Sequence, residues 1–93
     1  MPKIAMPPPP SGRITNREDL GRVIRYARMQ AGMTVEEAAM AIGIAKATML
    51  RVEQGKGGLQ FDNLLKILEG LGVTLSALPT HQRAERDFAW PKS

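Results

Sequence analysis

Residues Thr34–Gly55, TVEEAAMAIGIAKATMLRVEQG, decide how this chain folds. Apolar side chains recur at Val35, Ala38, Ala39 and Ile42, the spacing that gathers them on one face of a short helix. Thr34 stands just before that run with Glu37 three residues on. That pairing caps a helix start through reciprocal side-chain to backbone hydrogen bonds. Gly43 ends the run where a sharp turn demands positive φ. A second run follows, with Ala45, Met49 and Val52 expected inward, Lys46 and Arg51 outward, and a stop at Gln54-Gly55. The expectation is two short helices joined by a glycine-centred turn, the unit called a helix-turn-helix.

The flanks extend this pattern. Asn16–Gln30 reads as a helix capped by Asn16 or Thr15, with Glu18 and Asp19 in the first turn, where the helix dipole favours acids. Leu20, Val23, Ile24, Ala27 and Ala31 make its apolar stripe, and Gly32 stops it. Arg13, Arg17, Arg22, Arg25 and Arg28 outnumber the two acids, a face that is solvated or lends an arginine or two to phosphates. Ahead of it, Met1–Gly12 (MPKIAMPPPPSG) holds four consecutive prolines and can be neither helix nor central strand. Residues 1–13 are therefore expected as a disordered arm, solvated or reaching a partner.

Downstream, Gly55-Lys56-Gly57-Gly58 lacks the preceding strand and the GK[ST] ending of a nucleotide-phosphate loop. It reads as a turn whose amides and Lys56 approach a phosphate. Phe61–Gly70 is a further helix, apolar at Phe61, Leu64, Leu65 and Leu68. Ile67 and Leu71 widen that stripe beyond what one small core needs, which points to a second buried surface on a copy of the chain. Val73–Leu78 alternates like a strand, and a lone strand needs a mate, supplied by its own copy across a two-fold axis. Ile67, Leu71, Val73, Leu75 and Ala77 are the expected dimer interface. Residues 14–78 thus form the domain, and 79–93 a flexible tail whose Trp90 folds back or anchors a partner.

Composition narrows the chemistry. The 93 residues are 43% hydrophobic but only 4% aromatic, so the core is built from aliphatic side chains and methionine. There is no cysteine and one histidine, His81, which excludes a thiol nucleophile and a thiolate metal site. Glu36-Glu37 is explained by a helix start. No enzyme activity, cofactor or metal is expected. The formal charge of +4 suits a polyanionic partner. No apolar run approaches about twenty residues, and Lys3 is followed by no secretory apolar region, so neither a membrane span nor a signal is expected. The expected location is the cytoplasm, on the nucleoid.

From Leu20 to Val73 the chain resembles the lambda-repressor/Cro-like (Xre-type) helix-turn-helix family. The likeness rests on Thr34-x-x-Glu37-x-Ala39, the Ile42-Gly43-Ile44 turn, Thr48-Met49, Arg51-Val52-Glu53-Gln54-Gly55, and the closing segment FDNLLKILEGLGV. It implies a mostly α bundle of four to five short helices, with the C-terminal strand pairing in a dimer. By resemblance Lys46, Ala47 and Arg51 face bases, and Arg28 and Glu53 form an ion pair tying the first helix to the third. Two positions depart from the family: Val35 stands where a phosphate-touching Gln is frequent, and Ala45 where Ser or Thr caps the recognition helix.

More narrowly, Ile42-Gly43-Ile44-x-x-Ala47-Thr48, Lys66-Ile67-Leu68, the strand and the Trp90 tail resemble HipB-like antitoxins, the DNA-binding partners of HipA-type kinase toxins. That implies an autoregulating repressor of a toxin–antitoxin operon. A stand-alone Xre-type regulator is the alternative. Arginine and lysine donate to guanine O6 and N7, and alanine packs on a thymine methyl. Thr34, Thr48, Gln54 and Lys56 are placed to hold phosphates, which set register without reading sequence. For Thr48, packing at the helix surface is an equal reading.

Overall fold

The computed structural model describes residues 11–77 and 79. Four α-helices make up the fold: α1 (Arg17–Gln30), α2 (Val35–Ile42), α3 (Lys46–Glu53) and α4 (Phe61–Leu71). Asn16 caps α1, its side chain accepting from the Asp19 amide. Thr15, the other cap candidate, instead donates its amide and hydroxyl to the Asp19 carboxylate at 2.9 and 2.8 Å. Those bonds, first the backbone one, hold the Asp19 carboxyl below the usual carboxylate range, helped by Arg22.

The capping box at α2 is complete: Thr34 Oγ1 accepts from the Glu37 amide at 3.0 Å, and Glu37 Oε1 accepts from the Thr34 amide at 2.9 Å. Thr34→Ala removes the acceptor and should cost about 1 kcal/mol by chemical denaturation. An unchanged midpoint would mean that solvent satisfies the amide as well as Thr34 does. Gly43 closes α2 at φ +90°, and its amide and that of Ile44 both return to the Ala39 carbonyl at 2.8 and 3.0 Å. A side chain with a Cβ would strain that left-handed corner.

The core is Ile24 from α1, Ala38 and Ala39 from α2, Met49 and Val52 from α3, and Ile67 and Leu68 from α4. All are aliphatic or thioether groups, and the aromatic Phe61 stays 63% exposed at the start of α4. Ala31 and Ala45, expected on buried faces, are exposed at helix boundaries. α1 packs on α3 closely because Gly21 is buried where the two helices meet. A Cβ there would lie 2.6 Å from the Val52 carbonyl oxygen and 2.8 Å from that of Glu53.

Ile67 departs from its expected role. It has no exposed surface and belongs to the chain's own core, so it offers nothing to a second copy. The reason is that α4 packs against both α1 and α2, and two neighbours use up the wide stripe. Leu71 and Val73 are half-buried against the same core. Among the described residues no strand forms, and 73–77 pair with none of them in a ladder. The strand is expected only from pairing with a copy, and its last residue, Leu78, lies outside the described residues. So do most of the proline arm, His81 and Trp90. Among the described residues no helix is long and apolar enough to cross a membrane.

Candidate nucleic-acid interface

The second helix of the motif, α3, is short and is held at its far end. Arg28 of α1 donates through Nε to Glu53 Oε2 at 2.6 Å and through Nη2 to Glu53 Oε1 at 2.9 Å. Its remaining terminal nitrogen, Nη1, donates to the Met33 carbonyl at 2.8 Å. One guanidinium therefore ties the end of α1, the α1–α2 connection and the last residue of α3. The two side chains are 12% and 7% exposed, so the pair is largely screened from water. The hydrogen bond to Glu53 pushes the Arg28 pKa up against the opposing effect of burial, keeping the group charged.

With its C-terminal end anchored and Met49 and Val52 buried, α3 presents Lys46, Ala47, Leu50 and Arg51 to solvent. Lys46 and Leu50, and likewise Ala47 and Arg51, are four residues apart and neighbours on the helix surface. Ala45 supplies no side-chain cap, so the first amides of α3 remain open to an anion or water. Such a helix start, carrying a lysine and a methyl group, has the dimensions and donors to enter a major groove.

The remaining expected contacts divide. Thr34, Gln54 and Lys56 are exposed, and Thr48 is half-buried on the flank of α3. Thr34 Oγ1 already accepts one bond at the cap, and its hydroxyl hydrogen is available to a phosphate. Arg51 is not simply extended: its Nη2 donates to the Gly57 carbonyl at 2.5 Å, folding the side chain back over the loop after α3.

Three features are not evident from the sequence. Leu50 is 36% exposed on the outward face of α3, an apolar group among the polar ones. Its spacing of four from Lys46 is the available signal. Gly21 is hidden because a glycine inside a helix reads as a weak helix former; its position three before Ile24 on the buried stripe marks the close approach. Arg17 lies against Gly57, a meeting of distant segments that no local pattern reveals.

Comparison with known proteins gives a consistent picture. The family model described as "Helix-turn-helix" matches residues 24–78, more than half of the chain. A transcriptional regulator of the HTH type from Sinorhizobium fredii is 27% identical over 71 residues, covering 76% of this chain and 93% of that protein. A second HTH-type regulator, from Haemophilus influenzae, is 34% identical over 53 residues, and the chain spans 54% of its length. Among solved structures, a chain of the HipA–HipB–O2–O3 complex superposes with a TM-score of 0.65 at 28% identity, covering 73% of this chain and 96% of that one. A HipB–O4 20mer complex gives the same TM-score, 0.65, at 26% identity, again covering 73% of this chain and 96% of that one. The clp gene regulator ClgR from C. glutamicum gives 0.58 at 27% identity, covering 63% and 76%.

Proposed function

Since this chain belongs to the helix-turn-helix family of DNA-binding transcriptional regulators, we propose that it represses transcription by occupying a palindromic operator as a homodimer, and that it is the autoregulating antitoxin of a HipA-type toxin. The observation that carries the DNA-reading half is α3 itself: an exposed Lys46-Ala47 start on a helix pinned by Arg28 and Glu53. Lys46 donates to guanine and Ala47 packs on a thymine methyl. Thr34, Gln54 and Lys56 hold phosphates on either side, and Thr48 does so from the flank. Repression needs no chemistry on the DNA.

The dimer is supported by apolar surface that the described residues leave open. Leu65 and Leu75 are 43% and 44% exposed, and Leu71, Val73 and Ala77 continue the same segment. Pairing the 73–77 segments of two copies satisfies their backbone groups and covers these side chains. Two recognition helices then stand about 34 Å apart, one turn of B-DNA. Leu75→Lys is expected to shift the chain from dimer to monomer in sedimentation equilibrium; an unchanged mass would remove this segment from the interface.

The antitoxin half is supported by the likeness to a chain of the HipA–HipB–O2–O3 complex, 96% of which is covered, and to the HipB–O4 20mer complex. The stand-alone regulator has its own support, because the two curated relatives are described only as transcriptional regulators. Affinity purification of the tagged protein from its own cells separates the two. A HipA-like kinase recovered in stoichiometric amount supports the antitoxin, and recovery of this chain alone supports the stand-alone regulator.

A further inference from the structure

Two guanidinium groups converge on the turn between α3 and α4. Arg17, the first residue of α1, places Cζ 3.4 Å and Cδ 3.7 Å from the point where a Cβ on Gly57 would stand, with Nη1 nearer still. Arg51 Nη2 donates to the Gly57 carbonyl at 2.5 Å and lies 3.2 Å from the Cβ position of Gly58. Lys56 is exposed and, with Arg17, Gly57 and Gly58, lines one part of a hollow of about 250 Å³ whose remaining wall is apolar. Among the described residues the salt bridges are Arg22–Asp19 and Arg28–Glu53, so none of these three cations has a carboxylate partner. The stem of Glu18 covers Gly55, at the opposite end of the turn.

Three like charges gathered around a turn repel one another, and an anion seated among them relieves that repulsion. Gly57 and Gly58 carry no side chains, which lets the guanidiniums of Arg17 and Arg51 lie close against the turn. A phosphodiester, with a single negative charge and two free oxygens, fits a group of one lysine and two planar guanidiniums.

We propose that Arg17, Arg51 and Lys56 clamp one DNA backbone phosphate at the Gly57-Gly58 turn, and that Arg51 is a positioning residue shaping this clamp instead of a reader of bases. The proposal rests on the DNA-binding reading of α3. It moves Arg51 out of the base-facing set, leaving Lys46 and Ala47 there, and adds Arg17 from a helix outside the motif. Arg51 in this role holds the turn through Gly57 while its other donors face the phosphate.

The test uses fluorescence anisotropy of the intact chain on a random-sequence duplex, between about 50 and 200 mM salt. Losing the whole contact to one phosphate should make the salt-induced fall in affinity about threefold smaller. Arg17→Gln should show part of that change, Arg17→Gln combined with Arg51→Gln most of it and no more, because the three cations share one phosphate, and Arg17→Lys should recover the wild-type dependence. Gly57→Ala pushes only against the flexible end of Arg17, so it should leave the melting temperature unchanged while weakening duplex binding. In selections from a randomised duplex pool, Arg51→Gln should keep the wild-type preference and Lys46→Ala should lose it. A wild-type salt dependence in Arg17→Gln, or an altered preference in Arg51→Gln, overturns the clamp alone. Absence of duplex binding by the wild-type chain overturns the DNA-binding reading and the clamp with it.

Discussion

Arg28→Met should destabilise the chain by about 3–5 kcal/mol. The substitution keeps the length of the side chain but leaves the Glu53 carboxylate, 7% exposed, without its two donors. It also strips the Met33 carbonyl of its bond from Nη1. An unpaired carboxylate held that far from water is the costly state, more so than loss of the pair as a whole. At about 4–8 °C per kcal/mol for a domain of this size, the melting temperature should fall by more than about 10 °C. The double variant Arg28→Met/Glu53→Met removes the orphaned charge and should be more stable than the single one, keeping mainly the penalty at the Met33 carbonyl. A single-variant loss under about 1 kcal/mol would mean that the pair behaves as an exposed one.

Gly21→Ala is the second large effect. In an exposed helix the change to alanine would stabilise by about 1 kcal/mol. Here the added methyl group meets two backbone oxygens, at 2.6 and 2.8 Å, and neither can rotate away. α1 and α3 must separate, and a net loss of about 2 kcal/mol is expected after the propensity gain is subtracted. Gly70→Ala is the internal control. Its Cβ would meet Ile42 Cγ1 at 2.7 Å, but a side chain can shift where a carbonyl cannot. Equilibrium denaturation should therefore rank Gly21→Ala well below Gly70→Ala, and equal stabilities would contradict the α1–α3 close approach. Gly21→Ala should also weaken DNA binding, because it displaces the end of α3 that Arg28 pins.

Much of this architecture is written in local patterns. Thr34 and Glu37 are three residues apart because the capping box requires it, and Gly43 sits at a corner that only positive φ can turn. Asn16 is likewise a cap whose chemistry acts within one helical turn. What local patterns omit is the neighbour on the far side of each element. The α4 stripe looks too wide for one core because periodicity records how much of a helix is buried, not by what; α1 and α2 together cover Ile67. The Arg28–Glu53 pair spans 25 positions and follows from family resemblance, not from spacing. Arg51 reads as outward from its helix position, and its helix position is right; the bend of its side chain onto Gly57 depends on a loop that enters later in the chain. Gly21 shows in the sequence as a glycine on the apolar stripe, and only the third dimension reveals that it meets the Val52 and Glu53 carbonyls.

In this proposal α3 reads double-stranded DNA through its exposed start. The direct measurement selects a duplex from a randomised pool with the chain, then compares its affinity with that of a scrambled duplex at about 0.15 M salt. The expected result is a two-fold symmetric site with half-sites about 34 Å apart, bound at least about 1,000-fold more tightly than the scrambled duplex, with Lys46→Ala erasing most of that ratio. Equal affinity for both duplexes, or a ratio untouched by Lys46→Ala, would contradict it.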